Sequence, residues 1–204
     1  ILADYTIQRH YPELQNSENL YFGLLNRVIE RQAALVAQWM MVGFVHGVMN
    51  TDNTSISGET IDYGPCAFMD AYNPDTVFSS IDQNGRYRYR HQPMMMQWNL
   101  ARFAETLLPL FYPSQEQAVA MAEESIRTFP GIYQTYWIDG MRKKLGLFTA
   151  EENDSELIAG LLDWMTQHQT DYTNTFRALT ESALPQDAIF QESSFMEWHS
   201  LWQQ

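Results

Sequence analysis

The sequence predicts a mainly α-helical fold of the α+β class, and three observations lead to that prediction. From residue 20 to about residue 42, apolar side chains recur at helical spacing, the pattern of one face of a long amphipathic helix. After Pro93 helical patterns continue to the end of the chain. Between these two regions, residues 54–57 and 59–62 flank Gly58 at a spacing typical of a small β-hairpin.

The other elements follow from local residue preferences. The stretch up to residue 19 is predicted to be irregular, with Asn16 or Ser17 capping the long helix. Turn-forming residues before Pro93 predict a long irregular segment. Pro93 suits a first helical turn, and Ser114 with Gln117 fits a capping box. The helices predicted beyond Pro93 cover residues 94–108, 115–128, 132–145, 155–168, 171–182 and 194–202.

Size and charge limit the architecture and the partners. We expect one domain, 1–204, in which residues 1–92 hold the long helix, the loop, the hairpin and the irregular segment, and residues 93–204 form a helical block. The formal charge of -13 would repel a nucleic acid, so none is expected as a partner. No apolar run is long enough to cross a bilayer, and no membrane partner is expected. Cys66 is the only cysteine, which excludes an intrachain disulfide and predicts a reducing compartment.

The most informative motif is the run His-Gly-Val-Met-Asn-Thr-Asp-Asn at residues 46–53, followed by Asp62 at the exit of the predicted hairpin. Kinase-like phosphotransferases have a His, an Asp two positions later, an Asn further on, and then an Asp-aromatic-Gly that holds magnesium. The Asn and the second Asp are present here as Asn53 and Asp62. Val48 stands where the first Asp would be, and its side chain can neither accept a proton nor bind a metal. The pattern predicts either an inert pseudokinase or different chemistry on the same nucleotide.

Three side chains of this motif are candidate site residues. Asn53 and Asp62 are the predicted metal ligands, because an amide oxygen beside a carboxylate suits magnesium. Asp-Tyr-Gly is also a common turn tripeptide, so this prediction depends on the whole arrangement. Asp52 is the predicted proton acceptor; alternatively, its carboxylate accepts hydrogen bonds from its own backbone. His46 is predicted to brace the loop rather than to react.

Two clusters border the helical block. Arginines alternate with tyrosines just before it, at Arg86, Tyr87, Arg88, Tyr89 and Arg90. This pattern could face phosphate or an acidic protein substrate, but an exposed strand that neutralises local acids is the favoured interpretation. The three methionines at 94–96 and Trp98 are predicted to pack in the core.

Taken together, these motifs resemble the selenoprotein O family, whose members are protein-kinase-like proteins. The resemblance is carried by residues 46–53, 61–65, 85–89 with Gln92 and Pro93, and 98–109. It is dense from residue 43 to residue 109 and weaker over the later helices. It implies the C-terminal lobe of a kinase-like fold, in which the irregular segment before Pro93 is equivalent to an activation segment. It also implies transfer of AMP from ATP to hydroxyl-bearing side chains of protein substrates.

The resemblance also implies roles for individual residues. Asp52 would accept the proton of the attacking hydroxyl, and Asn53 and Asp62 would bind Mg²⁺ or Mn²⁺. Asp62 would also lie against the bound nucleotide. In this family ATP is flipped relative to ordinary kinases, so that its α-phosphate faces the acceptor. A chain with Val48 in place of Asp therefore need not be inactive.

The chain departs from the family pattern in ways that predict a fragment. Lys143 and Lys144 are its only lysines, no Gly-rich phosphate loop precedes the long helix, and Cys66 lies in the middle of the chain. We therefore expect that the N-terminal lobe and the family's C-terminal cysteine or selenocysteine are missing. We also expect that these 204 residues bind ATP weakly and do not turn over alone.

Location and alternative functions complete the sequence predictions. The expected compartment is the cytoplasm for a bacterial protein and the mitochondrion for a eukaryotic one. A small-molecule or protein phosphotransferase is an alternative, although such an enzyme would need Asp at the position of Val48. A non-catalytic pseudokinase scaffold is the other alternative.

Overall fold

The structure, a computed structural model, describes residues 1–61, 63–181 and 183–204. It is 64% helical with one small two-stranded sheet, which confirms the mainly α-helical α+β expectation. The α-helices, numbered along the chain, are α1 (Leu2–His10), α2 (Leu20–Met41), α3 (Gln92–Phe111), α4 (Gln115–Leu145), α5 (Asp154–His168), α6 (Tyr172–Ala178) and α7 (Ser193–Trp202). The strands are β1 (Phe44–Val45) and β2 (Ala67–Phe68), which pair in antiparallel register. No helix within the described residues is long and apolar enough to span a membrane.

Helix α2 forms where the apolar period predicts it, and it is the central element of the core. Its side chains at Leu25, Ala33 and Val36 are fully buried, and α3 and α4 both pack along it. The helix is capped by Asn19, whose side-chain oxygen accepts a hydrogen bond of 3.1 Å from the backbone N–H of Phe22. The predicted cap at residues 16 or 17 is therefore wrong, because Asn16 ends a short 3-10 helix (Pro12–Asn16) and Ser17 follows it in an extended conformation.

The first nineteen residues are not irregular, contrary to prediction. Helix α1 occupies Leu2–His10 and buries Ile7, and the chain then turns at Tyr11, which is fully buried. The guanidinium of Arg31 on α2 lies 4.2 Å from the centre of the Tyr11 ring. These contacts with α2 stabilise a segment whose own apolar pattern is too weak to predict a helix.

The predicted hairpin at 54–62 is also wrong. Residues 54–61 form turns, while the observed sheet joins Phe44 to Phe68 and Val45 to Ala67 across the intervening loop. The backbone of the turn segment is bound by side chains of α2: Gln32 Nε2 donates to the Ser55 carbonyl and Arg31 Nη1 to the Ser57 carbonyl. Carbonyls that accept from α2 are not available for a hairpin ladder. Asp62 lies outside the described residues.

The helical block after Pro93 agrees with prediction except at two helices. Ser114 Oγ accepts from the Gln117 N–H at 3.5 Å and caps α4, as the capping box predicted. However, α4 is one long helix that runs through Pro130, where two helices were expected. Its burial against α2 and α3 outweighs the backbone hydrogen bond that proline removes. Helix α6 ends at Ala178, earlier than the predicted residue 182.

The C-terminal end of α2 is held by three side chains, which fixes where the next loop begins. The Tyr89 hydroxyl donates to the Met40 carbonyl, and the Tyr172 hydroxyl lies 2.9 Å from the same oxygen. Lys144 Nζ donates to the Met41 carbonyl at 2.5 Å. These are the helix-end carbonyls that have no partner within the helix. Burial raises the pKa of both phenols, so both hydroxyls stay protonated donors.

Lys144 should make stability depend on pH. Its ammonium lies 4.1 Å and 3.9 Å from the ring centres of Tyr172 and Phe176, and burial lowers its pKa to about 8. Between about pH 8 and the ordinary lysine value of 10.5, the unfolded chain therefore binds more protons than the folded chain. We expect the free energy of unfolding to rise through this range relative to that of Lys144→Met, as measured by urea unfolding at several pH values.

The matched control is Lys143→Met, which removes an exposed lysine one residue away. It should keep the pH dependence of the parent protein. If the free energy of unfolding changed with pH between 8 and 10.5 equally in the parent and in Lys144→Met, Lys144 would be protonated equally in the folded and unfolded states.

Candidate functional site

The candidate site is the loop that follows β1, and it passes from the core to the surface at one point. Residues 43–49 are all buried, whereas Asn50, Thr51 and Asp52 are exposed. The turn out of β1 is made at Gly47, which has a φ of 87°. A Cβ at this glycine would lie 1.8 Å from the Pro65 carbonyl oxygen, so only glycine fits between the two backbone segments.

Asp52 and Asn53 lie next to each other in a 3-10 turn at Thr51–Asn53. No described residue donates a hydrogen bond to the exposed Asp52 carboxylate. The alternative prediction, in which this carboxylate accepts hydrogen bonds from its own backbone, is therefore wrong. Asn53 is half-buried, and its Nδ2 donates to the Val48 carbonyl at 3.0 Å. That bond fixes the amide, and Oδ1 accepts no hydrogen bond from the other described residues.

Val48 and His46 face the core behind this turn. The Val48 side chain is 8% exposed and therefore has no access to a substrate. His46 is 3% exposed, and its ring centre lies 5.3 Å from that of Trp39 and 6.2 Å from that of Phe44. A histidine buried between aromatic rings suits the bracing role expected for it.

Buried amide side chains hold the loop on both sides, and no role in the site was predicted for them from the sequence. Gln92 is fully buried; its Oε1 accepts from the His46 N–H and its Nε2 donates to the Phe44 carbonyl, both at 2.9 Å. Asn99, also on α3, donates through Nδ2 to the Met49 carbonyl at 3.1 Å and to Thr54 Oγ1 at 2.9 Å. The two contacts of Asn99 therefore bracket the turn that carries Asp52.

A signal for these amides was present in the sequence. Gln92 and Asn99 are seven positions apart, which brings both to the same face of α3 as the buried Met95 and Met96. Polar residues on the buried face of a helix must find hydrogen-bond partners, and here those partners are the carbonyl groups of the loop. The exposed Met94 and Trp98 lie off this face, so the prediction that they pack in the core is wrong.

The described residues include only one of the two predicted metal ligands. The donor chemistry of Asn53 Oδ1 suits Mg²⁺ or Mn²⁺. Its predicted partner, Asp62, lies outside the described residues, so the pairing stays a prediction. Within the part of the chain that the structure describes, no three His, Cys, Asp or Glu residues form a metal-binding group.

The arginines before α3 separate into two environments. Arg88 Nη1 and Arg90 Nη2 both contact Asp75 Oδ1, at 2.9 Å and 2.8 Å, and the hydrogen bond from Arg88 is the main cause of the lowered pKa of Asp75. Neutralisation of a local acid is thus confirmed for these two. The expected strand is wrong, because the segment forms turns and a 3-10 helix. Arg86 does not share the contact with Asp75.

Comparisons with known proteins confirm the family resemblance. The family model described as protein adenylyltransferase SelO matches residues 1–204. A protein nucleotidyltransferase YdiU of Brevibacillus brevis is 59% identical over 201 residues, which is 98% of this chain and 41% of the relative. The YdiU proteins of Syntrophotalea carbinolica and Shouchella clausii are 57% and 58% identical, over 99% and 100% of this chain and 41% and 42% of theirs.

The similarity covers every element of the structure, from α1 to α7. The chain spans about two fifths of the length of these curated relatives. The motif residues 46–53 and the buried amides that hold them lie inside the matched region. The chain therefore belongs to the SelO family of protein adenylyltransferases.

Proposed function

We propose that the full-length protein transfers AMP from ATP to hydroxyl groups of Ser, Thr or Tyr side chains in other proteins. The observation that carries this proposal is the turn at Thr51–Asn53, in which an exposed carboxylate stands beside an amide fixed by its own loop. Val48, buried at the position of the usual kinase base, disfavours ordinary phosphotransfer. The family and the bacterial relatives support nucleotidyl transfer, and a cytoplasmic location is part of the proposal.

Each candidate residue has one role in this proposal. Asp52 accepts the proton of the attacking hydroxyl. Asn53 Oδ1 and the Asp62 carboxylate hold Mg²⁺ or Mn²⁺, and Asp62 also lies against the nucleotide. A divalent cation at such a site neutralises phosphate charge during in-line displacement. Asn99 and Gln92 act indirectly, because they orient the loop that carries Asp52 and Asn53.

The fold of this chain is proposed to be a kinase-like C-terminal lobe. In support, a long helix (α2) leads into the candidate loop, and the helical block follows it. The isolated chain is proposed to bind ATP weakly and to be inactive, because neither lysine is suited to pairing with nucleotide phosphates. Lys143 is next to Lys144 at the end of α4, and Lys144 is bound to the Met41 carbonyl and two aromatic rings.

The position of the transferred label tests the reaction. The full-length protein is incubated with Mn²⁺, a protein acceptor and ATP labelled on either the α- or the γ-phosphate. We expect label on the acceptor only from α-labelled ATP, together with release of pyrophosphate. Transfer from γ-labelled ATP would instead identify a phosphotransferase.

The Asp62→Ala variant distinguishes the enzyme hypothesis from the non-catalytic scaffold hypothesis. Loss of label transfer in this variant, with unchanged thermal stability, is the outcome expected of a metal ligand. If no label is transferred from either nucleotide and Asp62→Ala leaves the cellular activity unchanged, the protein is a non-catalytic scaffold.

A further inference from the structure

A basic and aromatic surface lies beside the candidate loop, and nothing in the proposed chemistry uses it. Trp98 on α3 is 43% exposed, with the guanidinium of Arg86 at 5.0 Å and that of Arg102 at 5.4 Å from its ring. Arg86 also lies 5.8 Å from the ring of Tyr87. We call these four residues the arginine-aromatic patch. Stacking on aromatic faces orients a guanidinium and leaves its N–H edge available for a carboxylate.

Only one of the two guanidinium groups of the patch has a carboxylate partner among the described residues. No carboxylate among the described residues lies within 4.0 Å of the Arg86 guanidinium. Arg102 bonds Glu105 at 2.7 Å, but both side chains are about half exposed, and a pair of this kind contributes little. A partner carboxylate can therefore replace Glu105 at low cost. The rest of the chain carries a strong negative excess, so this patch is a local attractor for an acidic partner.

The patch contacts the candidate loop at Asn50 and shares a cavity with it at Thr51, two positions and one position before Asp52. The Tyr87 hydroxyl donates to Asn50 Oδ1 at 2.6 Å. Arg102 and Thr51 line the same cavity, which has a volume of about 310 Å³ and apolar walls that include Leu100. A chain bound on the patch would therefore pass beside the residue proposed to accept the proton.

We propose that the arginine-aromatic patch docks an acidic segment of the acceptor protein and so directs the neighbouring hydroxyl to Asp52. This inference rests on the proposed function, and it adds the class of acceptor: a hydroxyl residue flanked by Asp or Glu. Docking of this kind orients the acceptor and speeds its encounter, because charges on the two surfaces are complementary.

The alternative occupant is a phosphate of the nucleotide, and the backbone argues against it. Phosphate cradles usually include free backbone N–H groups. Here the N–H groups of Arg86 and Tyr87 both donate to the Asp82 carboxylate, at 2.7 Å each. Side-chain guanidinium groups beside an exposed indole suit a peptide better.

Direct binding tests the patch without requiring catalysis. The full-length protein is titrated into a fluorescent peptide with one serine flanked by glutamates, and into the same peptide with glutamines. We expect the glutamate peptide to bind more tightly and its binding to weaken with salt. The double variant Arg86→Gln, Arg102→Gln should lose affinity by roughly fivefold to tenfold, the size expected for two exposed charge pairs.

Arg177→Gln is the matched control, because it removes an exposed arginine paired with Glu181, on α6 rather than on α3 or the segment before it. It should bind the glutamate peptide like the parent protein. Equal binding of both peptides, or an equal loss in the control, would overturn the proposal. This outcome is independent of whether AMP is transferred, so failure of docking and failure of the proposed function are distinguishable.

Steady-state kinetics with the same peptides identify the bound anion. The double variant should raise KM for the glutamate peptide and leave KM for ATP and kcat unchanged. A higher KM for ATP with an unchanged KM for the peptide would assign the patch to nucleotide phosphate instead and overturn the proposal.

Discussion

Replacing Gly47 by alanine is expected to destabilise the protein by about 3 kcal/mol or more, and to abolish AMP transfer. The backbone at this residue has a φ of 87°, which side chains other than that of glycine rarely allow. The new Cβ would also lie 1.8 Å from the Pro65 carbonyl oxygen, and that atom belongs to backbone rather than to a flexible side chain. The loop that carries Asp52 would have to move. Urea unfolding measures the stability and labelled AMP transfer measures the function.

Gly131→Ala is the matched control for this substitution. Gly131 lies inside α4, and nothing lies within 4 Å of the position that its Cβ would take. Alanine should therefore stabilise the protein by roughly 0.5–1 kcal/mol, since it is the better helix former. If Gly47→Ala unfolded at the same urea concentration as the parent, the close approach of residues 47 and 65 would not constrain the loop.

The contrast between α2 and β1 explains how much of the fold the sequence predicts. The bounds of α2 follow from an apolar period that every turn of the helix repeats, so the prediction is accurate to about one residue. The pairing of β1 with β2 joins residues more than twenty positions apart, and each strand has only two residues. Such short strands have no detectable period of their own. The turn-rich segment at 54–61 was mistaken for a hairpin for that reason.

Helices α1 and α4 were predicted wrongly because tertiary contacts stabilise them, and a local sequence pattern does not reveal such contacts. Tyr11 and Arg31 stabilise the end of α1 through a contact between different elements. In α4, Pro130 predicts a break, but packing along α2 and α3 keeps the helix continuous. Local preference predicts elements well only where burial acts in the same direction.

The sequence likewise predicts only part of the candidate site. The motif at 46–53 identified Asp52 and Asn53 by residue type and spacing, and the structure brings them together in one exposed turn. The residues that hold this turn, Gln92 and Asn99, are forty to fifty positions away in sequence. Their role became visible only through their hydrogen bonds to loop carbonyls, because an amide on a helix has many possible partners.

The Asp52→Asn variant of the full-length protein is expected to transfer AMP about 10²- to 10⁴-fold more slowly, at unchanged thermal stability. The side chain is exposed and receives no hydrogen bond from the described residues, so an amide of the same shape costs the fold nothing. The amide cannot accept the proton of the attacking hydroxyl. Glu124→Gln, which removes an exposed carboxylate in the middle of α4, is the matched control and should keep the parent rate.

The kinetic parameters that change in the Asp52→Asn variant show whether Asp52 is a proton acceptor or a metal ligand. If Asp52 acts on the acceptor hydroxyl, kcat falls while KM for ATP and the Mn²⁺ concentration at half-maximal rate stay as in the parent. If it holds the cation, more Mn²⁺ is needed and the rate recovers at high metal. Recovery of this kind would contradict the assignment of Asp52, and would leave the proton of the hydroxyl to pass directly to solvent or to phosphate.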